Sequence, residues 1–252
     1  MIQFSSIPFL MVAVSAFPYL LARHAYANNF IDKAQRNSVA ALSFLVFTWG
    51  VISAALAYQG FYSSPEFFSL YPGLWFPFIP LLVVAIPLLL FPRLRSALNT
   101  AGKVVPLRWF AYFQVLRVAA IGTAIKTYQG EFPRSVELWV GVPDLLFGLS
   151  AIAVAWHMTK RPVTRNFWIT WHAIGAGIIL MLGMVVINMS LPGIFQVWAE
   201  PPTFEVAMQF PMALAPSMIV PLLVAGNLWA IYAYVQRLNL KICPQIIRFR
   251  LN

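Results

Sequence analysis

Residues 38–60 read SVAALSFLVFTWGVISAALAYQG, twenty-three positions without a charged side chain, preceded by Lys33 and Arg36 and followed by Glu66. About 20 such residues in a helix cross the hydrocarbon core of a bilayer, so this stretch is long enough to span with a little to spare. Six others have the same character, at 4–22, 72–92, 107–127, 137–158, 167–190 and 210–235. None alternates apolar and polar residues as a barrel strand does. The chain as a whole, 252 residues, is 61% hydrophobic and 10% charged, where soluble domains carry about 25% charge. The expectation is an all-α, polytopic membrane bundle of seven transmembrane helices forming one domain, 1–252.

The cations between these stretches are unevenly shared. Arg23, Lys33 and Arg36 follow the first, and Arg93, Arg95, Lys103 and Arg108 the third. Lys160, Arg161 and Arg165 follow the fifth, and Arg237, Lys241, Arg248 and Arg250 the seventh. That places 14 of 17 on one side, with only Lys126 and Arg134 opposite and Arg117 inside a stretch. Glu66, Glu131, Glu137, Glu200 and Glu205 fall on the poor side, and only Asp32 on the rich one. Basic loops stay in the cytoplasm, which predicts the N-terminus outside, the C-terminus inside and residence in the inner membrane. The formal charge of +10 is then a topology signal and not a nucleic-acid footprint. Tyr58, Tyr62 and Tyr128 at the outer ends, with Trp109, Trp156 and Trp168 at the inner ones, read as interfacial belts.

Residues 1–27 end in Ala25-Tyr26-Ala27, a small-residue spacing found at signal-peptide cleavage sites. No cation precedes the apolar run and Arg23 follows it, so it reads as a retained first span. The loop 93–106 has room for a turn of interfacial helix, and 192–209 for a short helix on the outer surface. The tail 238–252 alternates basic and apolar residues and is expected to rest on the inner leaflet or a partner.

Two charges lie at depth. Arg117 sits about 15 Å and Asp144 about 10 Å from the outer ends of neighbouring antiparallel spans. Each alone costs at least about 2.5–3.5 kcal/mol at mid-membrane, so pairing is expected, with Gln114 one turn away on the same face. The arrangement suits an anionic headgroup or an ion relay as ligand, or a purely structural buried pair. With no other acid placed at depth, an intramembrane carboxylate dyad is excluded. His24, His157 and His172 map to the inner half and are the candidates for ligating a metal, a haem or a chlorophyll, although no paired-histidine spacing supports it. Retinal is excluded, because the seventh stretch offers Asn227 and Trp229 but no lysine for a Schiff base. The lone Cys243 leaves no internal disulfide or cysteine-built cluster. There is no G-x-S-x-G, H-E-x-x-H or phosphate-binding loop. Pro72, Pro77, Pro80 and Pro87, with Pro211, Pro216 and Pro221, interrupt the third and seventh stretches. They either free carbonyls along a ligand path or kink helices packed on neighbours.

The run Phe113-Gln114-Val115-Leu116-Arg117-Val118, then Gly130 and Phe132-Pro133, then Gly141-Val142-Pro143-Asp144-Leu145-Leu146-Phe147-Gly148, resembles a family of uncharacterised bacterial seven-span membrane proteins. The shared pattern is Gln-x-x-Arg, a short outer loop, and Gly-x-x-Asp-x-x-x-Gly. Pro221-Leu222-Leu223 followed by Asn227 is similar to that family's last span, where the family has histidine. The sixth span departs further: the family shows Trp-Asn-x-x-Gly-x-x-Asp, and here Trp171-His172-Ala173-Ile174-Gly175 is followed by Ile178. The resemblance implies a seven-helix fold and brings no activity. Two functions follow from the residues: an accessory subunit of a membrane complex, docked on other membrane subunits and on lipid, or a small carrier or binder of lipid or anionic ligands built on Gln114, Arg117 and Asp144. A continuous polar cavity reaching Arg117 from either face supports the second, while a sealed ion pair supports the first.

Overall fold

The computed structural model describes residues 5–241, all-helical and without a strand among them. Six helices are long and apolar enough to cross a membrane: α1 (Ile7–Ala27), α2 (Lys33–Tyr58), α3 (Pro72–Leu90), α6 (Arg134–Lys160), α7 (Arg165–Ser190) and α8 (Ala215–Leu238). Between α3 and α6 lie α4 (Pro92–Val104) and α5 (Arg108–Tyr128), which meet at 103° and make a seventh crossing if counted together. Multi-pass membrane residence follows from length and composition. The tail read as alternating lies almost entirely outside the described residues.

Each helix buries a stripe and leaves the rest to lipid. On α1 the stripe is Leu10, Val14, Phe17, Leu21 and Ala25, spaced three and four apart. The opposite faces carry Phe9, Phe44 and Met181, each about 70% exposed, a surface that only hydrocarbon covers without cost. Asp32, the one acid among the basic loops, is the N-cap of α2: it accepts from the Gln35 amide at 2.7 Å while Gln35 accepts from the Asp32 amide at 3.0 Å.

The loop at 93–106 is more than a turn. Helix α4 buries Leu94, Ala97, Leu98 and Ala101 against α1, α2 and α8 and leaves Arg93 and Arg95 exposed. Arg237 of α8 closes its far end, donating to the carbonyls of Gly102 (2.7 Å) and Val105. The segment 192–209 forms only a short turn, Phe204–Met208. Phe204 and Met208 of that turn are buried with Tyr62, Phe67 and Phe76 in an aromatic cluster at the end away from the basic loops. Two residues read as interfacial belt are therefore core: Tyr62 is buried here, and Trp168 donates its indole N–H to the Ala230 carbonyl at 3.2 Å. Burial also pushes the Tyr62 hydroxyl above its ordinary pKa, opposed by its hydrogen bond with Ser53.

Helices α5 and α6 touch backbone to backbone. A β-carbon on Gly148 would lie 2.6 Å from the Val118 nitrogen and 2.9 Å from the Arg117 carbonyl carbon, whereas one on Gly122, in the same α5, would meet nothing within 4 Å. Gly148→Ala is expected to lower stability by about 1–3 kcal/mol, as overpacking does, and Gly122→Ala to leave it level or slightly higher. Thermal melting in mild detergent checks the pair, and equal effects would contradict the close contact.

Candidate functional site

Asp144 lies one turn before Gly148, so the close approach carries its carboxylate to Arg117. The Arg117 Nη1 donates to Asp144 Oδ1 in a buried ion pair, with side chains 1% and 12% exposed. Arg117 sits in a stretch of α5 tightened to 3-10 geometry, Val115–Ala120, and its guanidinium lies 5.1 Å from the Phe147 ring centre. Its Nε donates to Gln114 Oε1 at 2.9 Å. Gln114 gives its own N–H to the Leu223 carbonyl of α8 at 3.2 Å and accepts from Asn227 at 3.2 Å. Asn227 then shares a 2.6 Å hydrogen bond with His172 Nδ1 of α7. The structure thus brings together Gln114, Arg117 and Asp144, and extends the chain to two residues from other helices.

The three histidines are not gathered. His157 is exposed, His24 is half-buried with its ring 5.1 Å from that of Trp109, and His172 is wholly buried in the polar chain. Among the described residues no three metal-ligating side chains cluster. The imidazoles sit on different helices at different distances from the lipid face, so the proposed shared ligation of a metal, haem or chlorophyll has no geometric basis.

Glu137 corrects a second reading. Counted among the acids of the cation-poor side, it is buried at 5% exposure, and neither carboxylate oxygen has a partner among the described residues. It lies over Gly141, where any side chain would collide with it. The ground for excluding a second buried acid is therefore gone.

No family model, no curated protein and no solved structure matches the chain. The resemblance over 113–148 rests on the quoted residues alone. Two of the three positions at which the chain departs from that pattern nevertheless meet: His172 and Asn227 are the two ends of one hydrogen bond.

A cavity of about 180 Å³ ends on the Arg117–Asp144 pair, with Thr123 and Ser6 as its other polar lining and apolar side chains elsewhere. It lies in the half of the bundle away from the basic loops, between α1, α5, α6, α7 and α8. Three of its walls are π-helical turns: Glu137–Gly141, Ile178–Gly183 and Ala215–Ile219. Two of these precede a proline by one or two residues, Pro143 and Pro221, whose missing N–H and ring displace the preceding turn. The carbonyl freed by Pro221, that of Ser217, is taken by the Trp49 indole at 2.9 Å. Such widened turns recur at functional sites.

Removing one member of a buried pair strands the other, at about 3–5 kcal/mol. Asp144→Ala should therefore melt far below the parent, and Arg117→Leu combined with Asp144→Leu should recover much of the loss. Additive losses in the double variant would mean that the two charges act separately. His172→Asn is expected to cost about 1–3 kcal/mol through the unpaired Asn227, and His172→Asn with Asn227→His to regain most of it. A double variant no more stable than the single one would dissociate the two positions.

Proposed function

We propose that the chain is a seven-span protein of the inner membrane, N-terminus outside and C-terminus in the cytoplasm, that binds one membrane amphiphile in the cavity above Arg117 and Asp144. The distribution of cations supports the orientation. Helix α5, about 30 Å long at 1.5 Å per residue, supports the seventh span, because its one deep charge is neutralised on α6.

The observation that carries the ligand reading is the cavity itself, apolar along its walls and closed by an ion pair at one end. Membrane ligands with a hydrocarbon body and a small polar head match that lining. The head is a hydrogen-bond donor, a hydroxyl or an amine, and not the anion that an arginine alone suggests. Asp144 already compensates Arg117 and is the more exposed member of the pair, so its carboxylate faces the head. The accessory-subunit reading is favoured by the same lining, which is not a continuous polar cavity, and by Ile194, Phe195 and Val197, exposed on the loop after α7 as an apolar surface available to a partner.

Extraction from native membranes in mild detergent, followed by intact-mass analysis, tests both. Close to one equivalent of an apolar, donor-headed molecule is expected on the parent chain, and at least about tenfold less on Gly183→Phe, which fills the cavity. A parent free of any such molecule, or a filled variant that retains it equally, refutes the binding reading. Co-migration with other subunits at fixed stoichiometry supports the second.

A further inference from the structure

We infer that a second cavity, in the half of the bundle nearer the basic loops, holds an acyl chain of an anionic phospholipid whose phosphate lies against Arg95. The cavity measures about 590 Å³, within the range of built ligand sites. Its apolar walls are Val84 and Leu88 of α3 and Leu228 and Tyr232 of α8, with Arg95 and Asn99 of α4 at its rim. It opens sideways between α3 and α8, where Leu89 and Leu228 are 73% and 49% exposed. A groove that faces hydrocarbon and not water is filled by the hydrocarbon beside it, here a lipid tail.

The rim selects the headgroup. Arg95 and Asn99 are four residues apart and so share one face of α4. That helix carries Arg93, Arg95 and Lys103 and no acid. Among the described residues the only ion pairs are Arg117–Asp144 and Lys126–Glu131, so Arg95 has no carboxylate partner. A guanidinium and an amide donor at the rim of a tail-sized groove fit a phosphodiester with further negative charge better than a zwitterionic head, because no acid stands ready for a choline or an amine. Helix α4 is held in place by its buried stripe and by Arg237, so the donors are fixed relative to the groove. This inference does not rest on the amphiphile reading of the other cavity: the two linings share no residue.

The full chain, exchanged into nanodiscs of equal phosphatidylglycerol and phosphatidylcholine and released for native mass spectrometry, provides the test. The parent is expected to retain phosphatidylglycerol about fivefold over phosphatidylcholine, the preference that one basic residue near an anionic surface confers. Arg95→Gln should bring the ratio near one, while Arg93→Gln, outside the groove, should keep it. Ala225→Trp, which fills the groove, should lower retention of both lipids, and Leu89→Trp provides a second filling variant should the first not fold. Gly183→Phe should leave lipid retention at the parent level. Equal retention of the two lipids by the parent, an Arg95→Gln ratio matching Arg93→Gln, or undiminished retention in a folded filled variant would overturn the assignment.

Discussion

A guanidinium cannot stay in hydrocarbon without an anion, and the position of Arg117 near the middle of α5 imposes that condition on everything around it. The anion is Asp144, and reaching it requires α6 to come against α5 at backbone distance, which only a residue without a side chain at 148 permits. Once the pair is made, the remaining donors of Arg117 need acceptors. Gln114 supplies one from the same helix and, having two ends, ties α5 to the carbonyl of Leu223 and to Asn227 on α8. Asn227 in turn engages His172 on α7. One buried charge thus dictates the mutual placement of four helices, through groups that would each be costly if left alone.

The cavity has a separate origin in the backbone. An unbroken α-helix pressed against its neighbours leaves little space, and outside the two cavities the interior of this bundle is filled by alanine, leucine and stacked rings such as Phe17 on Phe113 at 4.0 Å. The three π-helical turns each add a residue to a turn and push a segment of helix outward at about the same level, over the ion pair. Prolines at 143 and 221 account for two of them. For the turn at Ile178–Gly183, glycines at 177 and 183 bracket the bulge, but no proline explains it.

The spans were legible in the sequence because hydrocarbon demands long uninterrupted apolar runs, and the Arg117–Asp144 pair because two charges at nearly equal depth on adjacent antiparallel helices have no cheaper arrangement. Gln114 followed from its spacing of three. What escaped reading depended on contacts between residues far apart in the chain. Nothing local marks His172 and Asn227, 55 residues apart, as partners, and their exchange relative to the resembling pattern became intelligible only in contact. Glu137 reads as an acid of the cation-poor side because it stands at the first position of the fifth stretch. Its burial comes from the turn that follows, where Gly141 leaves the room it occupies. Helix α4 looked interfacial from its arginines, whereas Leu94, Ala97, Leu98 and Ala101 anchor it in the bundle.

The direction in which the polar chain runs bears on what the molecule does. From the cavity it passes Asp144, Arg117, Gln114 and Asn227 to His172, toward the basic end, and there it stops. The His172 ring is enclosed by Trp168 and Trp171, with ring centres 4.3 and 4.7 Å away, and its Nε2 has no partner among the described residues. The apolar route along α1 and α8 is likewise divided by the stacked rings of Phe17 and Phe113. A conducting protein needs polar groups or water continuing past such a point, and this arrangement offers aromatic walls instead. The amphiphile proposed for the cavity therefore meets, at Asp144, a polar chain that runs inward as far as His172 among the described residues.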